Sequence, residues 1–155
     1  MIWGIVLMVF AADRLTKIWA VTHLSLYQTI PVLKNIFHIT LVHNRGAAFG
    51  ILKNQVPFFI VASVCAVVMI VYHLKKDASL SSRKLSLYTF SLGLILAGAA
   101  GNLVDRVSLG YVVDFLDFRV WPVFNVADSA ITVGAVLLGV ALLREEVREK
   151  KSQRG

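Results

Sequence analysis

Apolar residues gather into long uninterrupted runs. Residues 57–74 and 85–104 contain no Asp, Glu, Lys or Arg, and residues 126–143 contain one, Asp128. A helix that crosses a bilayer needs about 20 mostly apolar residues, so each run predicts a transmembrane helix. Residues 2–21 form a fourth, weaker candidate, because Asp13, Arg14 and Lys17 interrupt it. A cleaved leader carries basic residues ahead of its apolar run. Here the run starts at Ile2 and its charges lie inside it, which predicts a retained helix. Between the first two helices, IFHITLV at 36–42 is rich in β-branched and aromatic residues and predicts a strand, with Pro31 and Gly46 as punctuation. The fold class expected is an all-α membrane protein: four transmembrane helices with a small β-rich extracytoplasmic segment, in one integral domain over 1–155.

The basic residues orient the helices. The connector 75–84 holds Lys75, Lys76, Arg83 and Lys84; the tail 144–155 holds Arg144, Arg148, Lys150, Lys151 and Arg154. Cytoplasmic loops collect Lys and Arg. Both segments, and with four spans both termini, are therefore expected in the cytoplasm, with 22–56 and 105–125 outside. The mixed-charge REEVREKK at 144–151 reads as a solvated helix end.

Composition narrows the classes. The chain of 155 residues is 57% hydrophobic and 16% charged, against about 45–50% and about 25% in soluble domains. One soluble core of this size does not hide that much apolar surface, and disorder is excluded on the same ground. The net charge of +7 invites nucleic acid, but the basic residues flank apolar spans instead of sharing one surface, so no nucleic-acid partner is expected. Cys65 is the only cysteine, which excludes an intrachain disulfide framework. It falls mid-helix with no base nearby and is expected to be a core residue.

Charged groups inside spans are costly, face the bundle interior and mark function. In the expected topology Asp13 lies past the middle of helix 1 and Lys17 near its outer end. Asn102, Asp105 and Arg106 end helix 3, Asn125 and Asp128 start helix 4, and Asp114 lies in the connector between them. All converge at the outer leaflet boundary. Asp13 and Lys17, four apart, share a helix face as an ion pair requires; the bland reading is a pair that makes helix 1 tolerable in lipid. Arg106 either anchors the loop after helix 3 or holds a carbonyl or phosphate of a ligand. Gly93, Ala97 and Gly101 repeat at the spacing that lets membrane helices approach closely, while Gly98, Asn102 and Arg106 form an adjacent stripe that could face a ligand. Taken alone, Asp128 reads as a helix N-cap and Asp114, in VVDFLD, as a turn residue. Together they offer a sharper chemistry. Two carboxylates held close share a proton, so one serves as base and the other as acid. Other chemistries are poorly supplied, since His23, His38, His43 and His73 fall in no H-E-x-x-H pattern. No metal or cofactor is expected.

Five blocks then carry a resemblance: the Asp13–Lys17 spacing, NRGAAFG at 44–50, GNLVDR at 101–106, VVDF at 112–115 and FNVADS at 124–129. In this order, over nearly the whole chain, they resemble lipoprotein signal peptidase (signal peptidase II), a family of bacterial inner-membrane aspartyl proteases. The resemblance implies an aspartic-type endopeptidase. Such an enzyme removes the signal peptide from diacylglyceryl-modified prolipoproteins by cutting just before the lipidated cysteine, and it is inhibited by globomycin. It implies Asp114 and Asp128 as the catalytic pair, and Asn44, Gly98, Asn102, Arg106, Asn125 and Ala127 as lining or supporting the site. It implies structural roles for Asp13, Lys17 and Asp105, and membrane lipids as surroundings. Phe49 or its neighbours are expected to close over the substrate. Two rivals from other classes are a proton-coupled transporter and a membrane scaffold. A transporter needs its carboxylates near the bilayer midplane at a repeat interface, and no repeat is visible. A scaffold leaves the Asp and Asn cluster without a purpose.

Overall fold

The computed structural model describes residues 1–46, 54–76 and 86–152. Its elements run α1 (Ile2–His23), β1 (Thr29–Leu33), β2 (Phe37–Asn44), α2 (Val56–Lys76), α3 (Leu87–Leu109), β3 (Val112–Asp117) and α4 (Val126–Ser152). Phe49 and most of the NRGAAFG block lie outside the described residues, as does most of the basic connector.

Helix α3 is the central element, packed against α1, α2 and α4. Its small residues set how near these neighbours come. A side chain at Gly93 would strike Ile2 of α1. A Cβ at Gly101 would come within 2.5 Å of the Asp13 carboxylate, and one at Gly98 would meet the Ala127 carbonyl and approach Ile131 of α4 to 2.8 Å. The Gly93–Gly101 stripe is thus a packing face toward α1. Gly98 faces α4. The helix begins at Ser86, whose side chain accepts the N–H of Thr89 at 3.0 Å. It runs past the expected end at 104, so Asp105 and Arg106 belong to the helix. Gly110 closes it in the left-handed region with φ 74°, donating to the Arg106 carbonyl at 3.2 Å. Glycine takes that conformation without a Cβ penalty, and the chain turns at once into β3.

The three strands form one antiparallel sheet in the order β1-β2-β3. The strand expected at 36–42 is β2. Pro31, expected as punctuation, lies inside β1 opposite His38; an edge strand tolerates its missing N–H. The third strand comes from the second connector, so Asp114 is a strand residue and not a turn residue. A bulge between Ile39 and Val42 interrupts the β2–β3 register, and Val42 pairs with Asp114. The sheet packs on the C-terminal end of α1 through Ala20, Leu24, Leu41, Val113 and Phe115.

Among the described residues three helices, α2, α3 and α4, are long and apolar enough to cross a membrane. Helix α1 has the length but not the composition, because Asp13, Arg14 and Lys17 fall in one stretch; the four expected spans are three by this measure. The surface has the character of a lipid-facing one. Helix α2 packs chiefly on α3 and exposes Phe58, Val61, Val64, Val68, Met69 and Tyr72, a contiguous apolar face that a soluble monomer rarely carries. Cys65 is exposed on α2, against the expected core position: a helix with one main neighbour buries one face and leaves the rest outside. Helix α4 continues through the mixed-charge tail to Ser152.

Candidate active site

Where α1, α3, β3 and the start of α4 meet, the structure buries Asp13, Lys17, Asn102, Asp105, Asp114 and Asn125, each no more than 3% exposed. All six were singled out in the sequence, as were the less buried Asn44, Arg106 and Asp128 around them.

Asp114 lies in β3 with both carboxylate oxygens occupied. Asn125 Nδ2 donates to Oδ1 at 2.6 Å, and Asn44 Nδ2 donates to Oδ2 at 2.9 Å. Asp128 is in the first turn of α4, and Asn102 Nδ2 donates to its Oδ1 at 2.7 Å. Its Oδ2 accepts no hydrogen bond among the described residues. The N-cap role read for Asp128 belongs to Asn125, whose Oδ1 accepts the Asp128 N–H at 2.8 Å. That is the usual reach from a cap side chain to the third helical amide.

Each of the three amides has its orientation set by a donor it cannot return. Gly46 N–H donates to Asn44 Oδ1 at 2.9 Å, Lys17 Nζ donates to Asn102 Oδ1 at 2.9 Å, and Asp128 N–H holds Asn125 Oδ1. An amide whose oxygen is claimed by an N–H must turn its NH2 the other way. All three therefore aim NH2 groups at the two aspartates.

Burial is the largest influence on Asp114, followed by the negative charge of Asp128. Together they push its carboxyl up from 3.8 to about 7, against the lowering pull of the Asn44 and Asn125 hydrogen bonds and the Lys17 charge. Two carboxyls this strongly linked titrate as a pair.

A cavity of about 300 Å³ opens beside the pair. Asp128, Asn44 and Arg106 supply its polar lining, with Phe59 of α2 and with Trp121, Pro122 and Phe124 of the loop before α4 as apolar walls. Asp114 stands one hydrogen bond behind Asn44. The Arg106 guanidinium sits 5.0 Å over the Phe59 ring and has no hydrogen bond or ion pair among the described residues. Ala127 is fully buried against α3.

The polar groups behind the site are paired. Lys17 Nζ is 2.9 Å from Asp13 Oδ2 and 2.9 Å from Asp105 Oδ2, which makes the expected Asp13–Lys17 pair one half of a larger cluster. Arg14 pairs with Asp105 Oδ1. Sequence reasoning missed Arg14 and Phe59. Arg14 lies three residues before Lys17, but its partner is distant in the chain. Phe59 is one of several aromatics at the start of α2, and nothing local separates it from lipid-facing neighbours.

A buried and a half-buried carboxylate beside a cavity, on a scaffold of long apolar helices, define a protein of membrane character. The comparisons supply the particular kind. The family model described as signal peptidase (SPase) II matches residues 5–144, and the chain belongs to that family. It is similar to the lipoprotein signal peptidase of Halothermothrix orenii, 44% identical over 147 residues covering 94% of this chain and 97% of that protein. It is also similar to the lipoprotein signal peptidase of Caldanaerobacter subterraneus subsp. tengcongensis, 49% identical over 140 residues, 90% of this chain and 93% of that one. Among solved structures, a bacterial membrane enzyme determined by the in meso method at 2.3 Å resolution matches with a TM-score of 0.85 and 34% identity, covering 94% of this chain and 88% of that one.

Proposed function

We propose that this protein is an aspartic-type endopeptidase that removes the signal peptide from diacylglyceryl-modified prolipoproteins, cutting just before the lipidated cysteine. One observation carries the reading: Asp114 and Asp128 are bound into one network by amides that can only donate to them, beside a cavity that Asp128 lines. Such a pair holds one proton between two carboxyls near neutral pH. The ionised member takes a proton from water as it attacks the scissile carbonyl. The protonated member donates to the carbonyl oxygen. Collapse of the tetrahedral intermediate then returns a proton to the leaving amine. Arg106, unpaired among the described residues at the cavity wall, supplies a fixed positive group for a substrate carbonyl or phosphate.

In this reading the protein is a multi-pass protein of the bacterial cytoplasmic (inner) membrane with both termini cytoplasmic. Its sheet and cavity lie at the outer leaflet, where a diacylated substrate is held. Helix α1 is the fourth span. Its charges are offset within the bundle by Asp105, while Leu7, Met8, Leu15 and Ile18 face outward. Globomycin is expected to compete for the cavity.

The test uses purified protein in detergent or lipid with a diacylglyceryl-modified prolipoprotein, followed by mass. Wild type cleaves, and folded Asp114→Asn and Asp128→Asn do not. Cleavage by either variant removes that residue from the chemistry. A folded wild type that cleaves no lipidated substrate ends the reading.

A further inference from the structure

The two aspartates are held by the main chain just before them, and in the same way. Asp105 Oδ2 accepts the N–H of Val113 at 3.2 Å, one residue before Asp114. Asp13 Oδ1 accepts the N–H of Ala127 at 2.9 Å, one residue before Asp128. A strand and a helix start are thus each gripped by a buried carboxylate. One group joins the grips. Lys17 Nζ is 2.9 Å from Asp13 Oδ2, 2.9 Å from Asp105 Oδ2 and 2.9 Å from Asn102 Oδ1. An ammonium has three N–H donors; Lys17 directs one to Asn102 Oδ1 and holds the two carboxylates as ion pairs, Asp13 Oδ2 without a hydrogen bond among the described residues. Lys17 is 1% exposed, so water does not substitute for any of the three.

We propose that Lys17 is a positioning residue for the carboxylate pair: its ammonium fixes the separation of the main-chain segments that carry Asp114 and Asp128, and orients the Asn102 amide between them. The proposal rests on the pair being the chemical centre, and it goes beyond neutralising charge in α1. Neutralisation needs a cation of the right sign near two acids. Positioning needs the cation's reach, because each acid also holds a backbone amide one residue from the chemistry. The charged groups around Lys17 are Asp13 on its own helix and Asp105 on α3, with Arg14 on the far side of Asp105. Those acting on Asp114 with Lys17 are Asp128 from α4 and Arg106 from α3.

A variant that removes the cation together with both acids separates the two roles. In Asp13→Asn/Lys17→Met/Asp105→Asn each asparagine oxygen still accepts its backbone N–H, and no buried charge loses its partner except on partly exposed Arg14. Lys17→Met and Lys17→Arg accompany it. Carboxyl titration is read by infrared difference spectroscopy in the detergent-solubilised protein, with the Asp114 band assigned by Asp114→Asn. Melting is recorded for each, and kcat and KM are measured on a lipidated prolipoprotein.

The triple variant folds, and its kcat falls by about tenfold or more while KM changes little; in Lys17→Met, which loses the cation alone, the Asp114 titration midpoint rises. A folded triple variant with the wild-type kcat overturns the proposal and leaves Lys17 a neutralising group. If removing the charge prevents folding in both methionine variants, Lys17→Arg decides: its longer fork cannot keep all three contacts, so kcat falls, and wild-type kcat overturns the proposal. A folded wild type that cleaves nothing overturns the peptidase reading, while a Lys17→Arg variant that keeps the charge but moves the Asp114 midpoint still supports positioning, so the two failures are distinct.

Discussion

The buried carboxyl of Asp114 is held at a cost to the fold, and Asp114→Asn measures that cost. Its carboxyl stands at about 7 in the folded protein against an ordinary 3.8. A carboxyl raised by folding costs nothing below its unfolded value, where both states are protonated. Between the two values the native state keeps a proton that the unfolded state has released, so stability falls as pH rises. Above about 7 the loss is complete. Each pH unit in that window is worth about 1.4 kcal/mol, for a total of about 4 kcal/mol and about 3 kcal/mol between pH 5 and 8. An asparagine does not titrate and carries no such loss. It does present an NH2 to one of the two NH2 groups that now donate to Asp114, which costs about 1–3 kcal/mol. That cost is independent of pH, so the informative quantity is the difference in melting temperature between variant and wild type, followed across pH. The assay is thermal unfolding in detergent at pH 5, 6, 7 and 8. With roughly 2–4 °C per kcal/mol for a chain of this size, the difference moves toward the variant by on the order of 5–10 °C from pH 5 to 8 and is flat above. A difference that stays constant across the range, or that moves toward wild type, refutes the claim that burial and Asp128 load this carboxyl.

Gly98→Ala drives a Cβ into the Ala127 carbonyl and toward Ile131, so α3 and α4 separate beneath Asp128. The expected result is a loss of about 1–3 kcal/mol with cleavage slowed more than tenfold, read by melting and by rate; wild-type behaviour in both refutes the contact. Asn125→Ala removes the cap of α4 and one donor to Asp114. It should lower stability by about 1 kcal/mol and raise the Asp114 titration further, since that donor favours the ionised form; an unchanged infrared midpoint refutes the donor role. A spin label at exposed Cys65 in bilayers should collide freely with oxygen and hardly with a water-soluble nickel complex. The reverse preference puts α2 in water.

What was legible in the sequence is what local spacing controls. Asp13 and Lys17 sit one helical turn apart, and a four-residue interval on a helix leaves little freedom. Strand β2 showed in its β-branched composition, and the apolar lengths showed three of the helices. Asp128 was misplaced as a cap because Asn125 and Asp128 are both good capping residues three apart, and only the position of the first helical amide decides between them. Cys65 was misplaced because an all-apolar helix has the same sequence whether its neighbour is protein or lipid. The pairing of Arg14 with Asp105 spans 91 positions, and no local pattern encodes it.

The least legible feature is the orientation of the amides around the two aspartates. Asn44, Asn102 and Asn125 were all singled out, yet an asparagine is a donor and an acceptor at once, and the sequence does not say which end meets a carboxylate. That is decided by three donors elsewhere: the amide of Gly46 two residues along, the amide of Asp128 at the start of α4, and the ammonium of Lys17 from another helix. Two of these are backbone groups whose placement follows from the turn and the helix start. The third is a side chain and can be removed without disturbing a local element. An amide released from its lock can rotate its oxygen toward a carboxylate and turn an attraction into a repulsion. The polar residues around the two aspartates are therefore not interchangeable hydrogen-bonding groups, and a substitution that keeps an asparagine but removes its lock should act on the aspartates nearly as strongly as removing the asparagine itself.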